Sequence, residues 1–257
     1  MITSTANRQV KRVIQLQKKG KLRREDDCFI AEGMKMALEA PRERILQVYM
    51  SESFAREKGL PGQLEHLPCE VVDDRVFEQM SDTITPQGIL CLIRQFHYTQ
   101  EDLLKKENPL LLLLEDLQDP GNVGTIFRTA EGAGVDGIIL SHNSVDIYNP
   151  KTIRSTMGSV YRMPFLYAED LPEILKMLKK EGICTYAAHL DGQNTYDRED
   201  YRGGTAFLIG NEGNGLSSEL TAGAQRRIRI PMEGKLESLN AAVAAALLMY
   251  EVHRQRS

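Results

Sequence analysis

Short apolar runs alternate with helix-like segments through the first third of the chain. Four runs predict strands: CFIAEG (28–33), ILQVYM (45–50), CEVV (69–72) and GILCLIR (88–94). Three segments between them predict helices: MKMALEA (34–40), SESFAREKG (51–59) and DDRVFEQMSD (73–82), the last with Asp73 or Asp74 as its N-cap. Strands alternating with helices predict a small α/β sandwich over this part.

A second α/β pattern follows a polar stretch, FHYTQEDLLKKEN. Its strand-like runs begin with LLLLLED (110–116) and continue at 137–141, 160–166, 183–190, 205–210 and 227–232. Helices are predicted over 123–134, 149–158, 171–182 and 238–255, and the last is apolar around much of its circumference. Buried strands between helices predict a mainly parallel sheet covered on both faces. We therefore predict a first domain over 1–95, a linker over 96–108 and a second domain over 109–257.

The totals describe an ordinary globular chain. It has 257 residues, 42% of them hydrophobic, and a net charge of −4. No apolar stretch reaches the roughly 20 residues of a membrane span, and the N-terminus lacks the apolar core of a secretory signal. Cys28, Cys69, Cys91 and Cys184 show no paired spacing, so neither a metal site nor a disulfide framework is predicted. Reduced thiols favour a cytoplasmic location.

Positive charge is concentrated at the N-terminus. Residues 1–24 contain no acid and eight basic side chains: Arg8, Lys11, Arg12, Lys18, Lys19, Lys21, Arg23 and Arg24. On a helix, Arg8, Lys11, Arg12, Lys18 and Lys19 share one face, and Val10, Val13 and Ile14 lie opposite. Such a face suits an RNA backbone. A solvated helix surface and a mitochondrial presequence are the alternatives.

Three loops that each follow a strand carry unusual residues. In the first, DPGNVGTIFRTAEGAG, Asn122 is interpreted as an N-cap and Arg128 lies almost two turns into the helix. In the second, GNEGNGL, Glu212 stands among glycines and would repel a polyphosphate. Ser238 and Asn240 stand near the start of the last helix in the third. Each loop alone also fits a simpler role: a surface arginine, a tight turn, or a helix cap.

Taken together, the loops resemble the signature motifs of the SpoU family of RNA ribose 2'-O-methyltransferases, which belong to the SPOUT class. The motifs are N-x-x-x-x-x-R (122–128), LIGNEGNG (208–215) and IPMEGKLESLN (230–240), and NPKTIRSTMGSVYRMP between the first two also resembles the family. Residues 1–95 resemble the RNA-substrate-binding domain of the branch that acts on ribosomal RNA.

That resemblance implies a trefoil knot in the C-terminal sheet, S-adenosylmethionine as cofactor and a homodimer that completes the site. Cofactor contacts would come from Gly210, Ile230 and Leu239, with Met232 adjacent. Arg128 would activate the ribose hydroxyl, and the remaining catalytic residues would be Asn122, Glu212, Ser238 and Asn240. RNA contacts are expected from Arg154 and from the N-terminal Arg8, Lys11, Arg12, Lys18 and Lys19.

Three other functions stay open at this point. The family resemblance leaves a transfer-RNA substrate possible in place of ribosomal RNA. A dinucleotide-dependent oxidoreductase would need a G-x-G-x-x-G loop, which the first loop lacks. A non-catalytic RNA-binding protein would have no need of the set formed by Asn122, Arg128, Glu212 and Asn240.

Overall fold

The computed structural model describes residues 1–235 and 238–257, which divide into two compact units. Unit 1 comprises Met1–Phe96 and Asp146–Tyr161, and unit 2 comprises His97–Val145 and Arg162–Ser257. The segment Asp146–Tyr161 lies within the range 109–257 that was expected as the second domain, yet it packs with unit 1. Within the described residues, no helix combines the length and apolar content needed to cross a membrane.

Unit 1 contains a four-stranded mixed sheet in the order β1-β4-β2-β3. The strands are β1 (Cys28–Glu32), β2 (Ile45–Ser51), β3 (Cys69–Val72) and β4 (Ile89–Arg94). β4 pairs antiparallel with β1 and β2, and β2 pairs parallel with β3. The helices are α1 (Arg8–Lys18), α2 (Gly20–Glu25), α3 (Met34–Glu39), α4 (Glu52–Glu57), α5 (Asp74–Met80) and α8 (Pro150–Thr156), with short 3₁₀ helices at Arg42–Arg44, Gly62–Leu64 and Ser159–Tyr161.

Unit 2 contains a seven-stranded sheet whose pairings are all parallel. Its strands are β5 (Leu110–Leu114), β6 (Gly137–Ser141), β7 (Phe165–Ala168), β8 (Cys184–Ala188), β9 (Asn194–Thr195), β10 (Thr205–Ile209) and β11 (Arg226–Arg229), in the order β7-β6-β5-β10-β8-β11-β9. The helices are α6 (Gln100–Leu103), α7 (Pro120–Ala133), α9 (Leu171–Lys180), α10 (Ser218–Gly223) and α11 (Ala241–Arg256), with a 3₁₀ helix at Tyr196–Arg198.

The predicted α/β class and the mainly parallel second sheet are confirmed. Strands β5 and β10 read as unbroken apolar runs because all five residues of each are buried, as expected when helices cover both faces of a sheet. α9 presents Leu171, Ile174, Leu175 and Leu178 to this core at helical spacing. The stretch 96–108, expected as a linker or a short connecting helix, contains α6, whose Leu103 is buried in the same core.

Two local predictions were wrong. Asn122 is not an N-cap, because Asp119 caps α7 by accepting a hydrogen bond from the backbone N–H of Asn122 at 2.8 Å. The strand predicted over 160–166 is a 3₁₀ turn followed by β7. The expected basic helix is α1, which ends at Lys18; Lys19 lies just beyond it, where the backbone is extended before α2. Asp73 is the N-cap of α5, one of the two residues expected there.

Candidate functional site

The candidate site lies where the strand order of unit 2 reverses. The chain passes from β5 to β6 on one side, whereas β10 flanks β5 on the other. Ligands of open parallel sheets bind beyond the carboxyl ends of the strands at such a switch point. The loops after β5 and β10 meet here, because the side-chain amide of Asn211 donates to the carbonyl of Asp116 at 2.7 Å. The backbone N–H of Ser217 also donates to the Glu115 carboxylate at 2.7 Å.

Glu212 connects the second loop to the first. Its carboxylate accepts hydrogen bonds from the backbone N–H groups of Gln118 and Asp119, each at 3.1 Å, and from the side-chain amide of Asn122 at 3.1 Å. Asn122 points its side chain toward Glu212 because it occupies the first turn of α7, just after the Asp119 cap. The glutamate among the glycines is therefore a fixed acceptor that positions the start of α7.

Asn240 connects the third loop to the same set. Its side-chain amide donates to the Asn122 Oδ1 at 2.9 Å, while its own Oδ1 accepts from the backbone N–H groups of Ala242 and Val243. The Asn240 side chain thus caps α11 and also binds Asn122, so it is a helix cap and a member of the site at the same time. The continuous set Glu212–Asn122–Asn240 joins all three predicted loops.

The Glu212 carboxyl is held ionised by these contacts. Its partial burial alone would raise its pKa, but the hydrogen bonds from Asn122 and from the backbone of Gln118 and Asp119 outweigh burial, and the net pKa lies below the ordinary 4.5. Hydrogen bonds to the charged form of an acid favour that form. At neutral pH the site therefore contains a fixed negative charge, which suits a cationic ligand better than a phosphate.

A cavity of about 400 Å³ opens beside this network. Four residues that were expected to contact the cofactor line this cavity: Gly210, Ile230, Met232 and Leu239. Glu212 and Ser238 line it as well. Its volume falls within the range of small-molecule pockets, roughly 300 to 1,000 Å³. The third motif, 230–240, includes residues 236 and 237, which lie outside the described residues.

Gly210 shapes one wall of the cavity. A Cβ at this position would lie 2.1 Å from the carbonyl carbon of Gly215, so no side chain fits. The two backbone segments approach closely, and Asn211 and Gly215 exchange two backbone hydrogen bonds of 3.0 and 2.9 Å. The glycine loop consequently presents backbone N–H and C=O groups to the cavity at short range.

Arg128 is exposed on α7 and lies outside the residues that line this cavity. It makes no hydrogen bond or ion pair with any residue that the structure describes. Its helix neighbours Thr125 and Thr129, with Asn122 and Asn240, line a separate groove between α7 and α11. Three apolar side chains of α11 along this groove, Val243, Leu247 and Tyr250, are 50%, 37% and 50% exposed. The guanidinium therefore has no partner among residues 1–235 and 238–257.

The expected RNA-contacting residues lie in unit 1. Arg8, Lys11, Lys18 and Lys19 are exposed, and Val10, Val13 and Leu16 are buried on the opposite side of α1. Arg12 is exposed but pairs with Asp26 at 2.8 Å. Arg154, in α8, pairs with Asp82 at 2.8 Å.

Arg23, counted among the N-terminal cations, has a structural role. It is 4% exposed and pairs with Asp146 at 2.7 Å. It therefore contributes no charge to an exposed basic surface.

Sequence reasoning missed several residues of the cavity. Asn211, His189 and Arg229 line it, as does Asn214. His189 follows β8 and Arg229 ends β11, so both occupy carboxyl ends of strands, the one signal that could have identified them. No group of three or more His, Cys, Asp or Glu side chains among the described residues is arranged to hold a metal ion.

Known proteins resemble this chain over nearly its whole length. A profile of the SpoU rRNA Methylase family matches residues 109–250, and a profile of the MRM3-like substrate binding domain matches residues 7–91. The chain is 32% identical over 254 residues to the 23S rRNA (guanosine(2553)-2'-O)-methyltransferase RlmP of Bacillus subtilis (strain 168), with 98% of each chain covered.

Solved structures share the fold. A crystal structure of an AdoMet-bound rRNA methyltransferase from Sinorhizobium meliloti superposes with a TM-score of 0.87 at 30% identity, covering 98% of this chain and 97% of the other. The SpoU methyltransferase AviRb from Streptomyces viridochromogenes, in complex with AdoMet, superposes with a TM-score of 0.87 at 22% identity, covering 97% and 98%, which indicates the fold alone. With its three joined loops and these matches along both halves, the chain belongs to the SpoU rRNA methylase family.

Proposed function

We propose that this protein transfers a methyl group from S-adenosylmethionine to a ribose 2'-hydroxyl of ribosomal RNA. The set Glu212–Asn122–Asn240, which joins three loops beside one cavity, is the main support. Membership of the SpoU rRNA methylase family supports ribosomal RNA as the substrate class. So does the similarity to RlmP, a 23S rRNA 2'-O-methyltransferase that this chain matches over nearly its whole length. A transfer-RNA substrate is the alternative that the experiment below separates.

The cavity residues fit S-adenosylmethionine. When bound, this cofactor supplies a methyl group on a positively charged sulfur. Ile209, Ile230 and Leu239 offer apolar contacts, and the glycine wall offers backbone groups at short range. Glu212 brings a fixed negative charge to the cavity rim, which attracts a sulfonium and repels a pyrophosphate. The same wall that suits this cofactor therefore disfavours a dinucleotide.

Arg128 has the chemistry to position the ribose. A guanidinium is protonated at physiological pH and forms several directed hydrogen bonds, so it holds a hydroxyl together with a neighbouring phosphate and stabilises the developing alkoxide. It is exposed and unpaired within the described chain, as a residue that meets its partner only with substrate would be. We assign Arg128 this role, and Asn122, Glu212, Ser238 and Asn240 the role of orienting the ribose and the loops.

The active form is proposed to be a homodimer. Arg128 lies outside the cofactor cavity of its own chain, and the groove between α7 and α11 exposes Val243, Leu247 and Tyr250 beside it. A second copy packed on this groove would cover the apolar side chains. Arg128 would then act at the cofactor cavity of the partner chain. Apolar surface left open along a helix is typical of a subunit interface.

The chain path is proposed to include the family's trefoil knot. Two places in unit 2 have backbone packed on backbone with no room for a side chain: Gly192 against Ile228, where a Cβ would lie 2.4 Å away, and Gly210 against Gly215. We further propose that unit 1, with the exposed cations of α1, binds the RNA. The four cysteines are free thiols, which supports a cytoplasmic location.

A methyl-transfer assay tests the proposal. The purified protein is incubated with tritium-labelled S-adenosylmethionine and either unmodified 23S RNA transcripts or unmodified transfer RNA, and the product is digested with alkali. We expect label in alkali-resistant dinucleotides from ribosomal RNA only, because a 2'-O-methyl group blocks cleavage of the adjoining bond. Label in transfer RNA alone would shift the assignment to the alternative substrate. Calorimetric binding of NAD without binding of S-adenosylmethionine would overturn the reaction type.

A further inference from the structure

A loop of unit 1 holds an isoleucine fully in solvent. The loop comprises residues 81–88, SDTITPQG, between α5 and β4, and is called here the Ile84 loop. Ile84 is 102% exposed, which makes it the most exposed large hydrophobic residue among those the structure describes. Single exposed apolar residues are common on protein surfaces. This one differs because its loop is firmly fixed.

A buried carboxylate fixes the first half of the loop. Glu32, at the end of β1, is 8% exposed. It accepts hydrogen bonds from the Ser81 hydroxyl at 2.5 Å, the Thr83 hydroxyl at 2.7 Å and the Asp82 backbone N–H at 3.1 Å. A buried carboxylate is costly unless its hydrogen bonds are made, so the geometry of these residues is strongly determined.

The second half is fixed by other contacts. The Gln87 side-chain oxygen accepts a hydrogen bond from the Met34 backbone N–H at 2.9 Å, which ties the loop to the start of α3. Gly88 has a φ of +81°, and a Cβ there would lie 2.7 Å from the Cβ of Phe54. Ile84 therefore stands at the tip of a loop held on both sides.

A cationic side chain contacts the loop two positions before this tip. Arg154 Nη1 donates to the Asp82 carboxylate at 2.8 Å, so α8 is in direct contact with the Ile84 loop. Lys151, one turn earlier on α8, is exposed. An apolar tip beside cations matches a nucleotide, whose base presents an apolar face and whose phosphate carries negative charge.

We propose that the Ile84 loop is a contact site for an unpaired nucleotide of the RNA substrate, with Ile84 packed on the base and Arg154 facing the phosphate. This rests on the proposed RNA methyltransferase function and assigns a binding surface within unit 1. Sequence-specific RNA recognition mostly uses unpaired bases that are turned out of a helix. A protein partner fits less well, because a stable protein interface covers about 800 Å² on each side, far more than one isoleucine offers.

RNA affinity of loop variants tests the proposal. Ile84→Ser removes the apolar contact and leaves the backbone anchors intact, so we expect a five- to tenfold rise in Kd for 23S RNA fragments, measured by fluorescence anisotropy; a tenfold rise corresponds to about 1.4 kcal/mol. Ile84→Leu keeps an apolar side chain and should restore most of the affinity. Glu57→Ser, an exposed change on α4 of the same unit, is the control and should bind RNA as the wild type does.

Two further measurements separate the outcomes. Circular dichroism and calorimetric binding of S-adenosylmethionine should match the wild type in all three variants, because the cofactor cavity belongs to unit 2. An Ile84→Ser protein that binds RNA within twofold of the wild type overturns the proposal, even if methyl transfer proceeds. A change in sedimentation mass with unaltered RNA affinity would also overturn it, in favour of a protein contact. Failure of the wild type to methylate any RNA refutes the proposed function separately.

Discussion

At the scale of single residues, the site depends on a few polar side chains that serve two purposes. Asn240 caps a helix and binds Asn122, and Asn122 in turn binds Glu212. Each contact alone is an ordinary structural hydrogen bond. Their connection across three loops makes the set specific, and Arg128 is not part of it.

Arg128→Lys should abolish most turnover while S-adenosylmethionine binding stays intact. Lysine keeps the charge but loses the planar fork that holds two oxygen atoms at once. Loss of one donor to a developing oxyanion typically lowers the rate about a hundredfold or more. Single-turnover methyl transfer and calorimetry measure the two effects, and a variant that methylates RNA near the wild-type rate would show that the assignment of Arg128 is wrong.

Glu212→Gln should lose stability in a manner that depends on pH. The pKa of Glu212 in the folded protein lies below the ordinary 4.5, so ionised Glu212 favours the folded state. This contribution is complete above pH 4.5 and disappears as the pH falls through the lower folded pKa.

Glu212 is largely exposed to solvent, so the free energy of unfolding of the wild type and of Glu212→Gln should differ by less than about 1 kcal/mol. Urea denaturation of both proteins at pH 7 and at pH 3 measures it. A gap between wild type and Glu212→Gln that is larger at pH 3 than at pH 7 would contradict the expected sign.

At the scale of elements, the glycine loop after β10 is the segment that tolerates amino-acid substitution least. It must reverse direction, approach its own backbone and still offer groups to the cavity. α7 has more tolerance, since Asp119 and Glu212 both stabilise its first turn. Negative charge near a helix N-terminus is favourable with the macrodipole.

Gly210→Ala should eliminate S-adenosylmethionine binding. The added methyl group would lie 2.1 Å from the Gly215 carbonyl carbon, which forces the two backbone segments apart and opens the cavity wall. Gly203→Ala is a matched control, because a Cβ there meets nothing within 4 Å. Calorimetry should detect cofactor binding for the control only. Normal binding by Gly210→Ala would mean that the loop relaxes without consequence and does not form the cofactor site.

At the scale of the whole molecule, the chain has two units with separate sheets and separate cores. The cofactor cavity, the network and the groove belong to unit 2, while the Ile84 loop and the basic α1 belong to unit 1. Cofactor binding and RNA binding should therefore be separable by mutation. Arg128, for which a second chain is proposed to complete the site, belongs to unit 2 as well.

Leu247→Asp should convert a dimer into a monomer and abolish methyl transfer. Leu247 is 37% exposed in the groove between α7 and α11, and a carboxylate there would be buried without a partner in the proposed interface. Sedimentation equilibrium should give twice the chain mass of 29.0 kDa for the wild type and the mass of one chain for Leu247→Asp. A wild-type protein that is monomeric yet active would refute the role of dimerisation.

The sequence by itself determined the fold class and the three motifs. Unbroken apolar runs and helical spacing of apolar residues reflect burial directly, so β5, β10 and α9 were predictable from their apolar residues. The resemblance of the motifs to the SpoU family selected Gly210, Ile230, Met232 and Leu239, all of which line one cavity. Local chemistry was less decisive where two residues compete for one role, as Asp119 and Asn122 did for the cap of α7.

Only the tertiary structure decided which side chains act together. The Glu212–Asn122 contact spans 90 positions in sequence and the Asn240–Asn122 contact spans 118, and no local pattern encodes such pairs. The same holds for Arg23 and Arg154, whose carboxylate partners Asp146 and Asp82 are distant in the chain. The physical reason is that a side chain's charge and hydrogen bonds are satisfied by whatever the fold brings near it, whereas its burial repeats with the period of its own helix or strand.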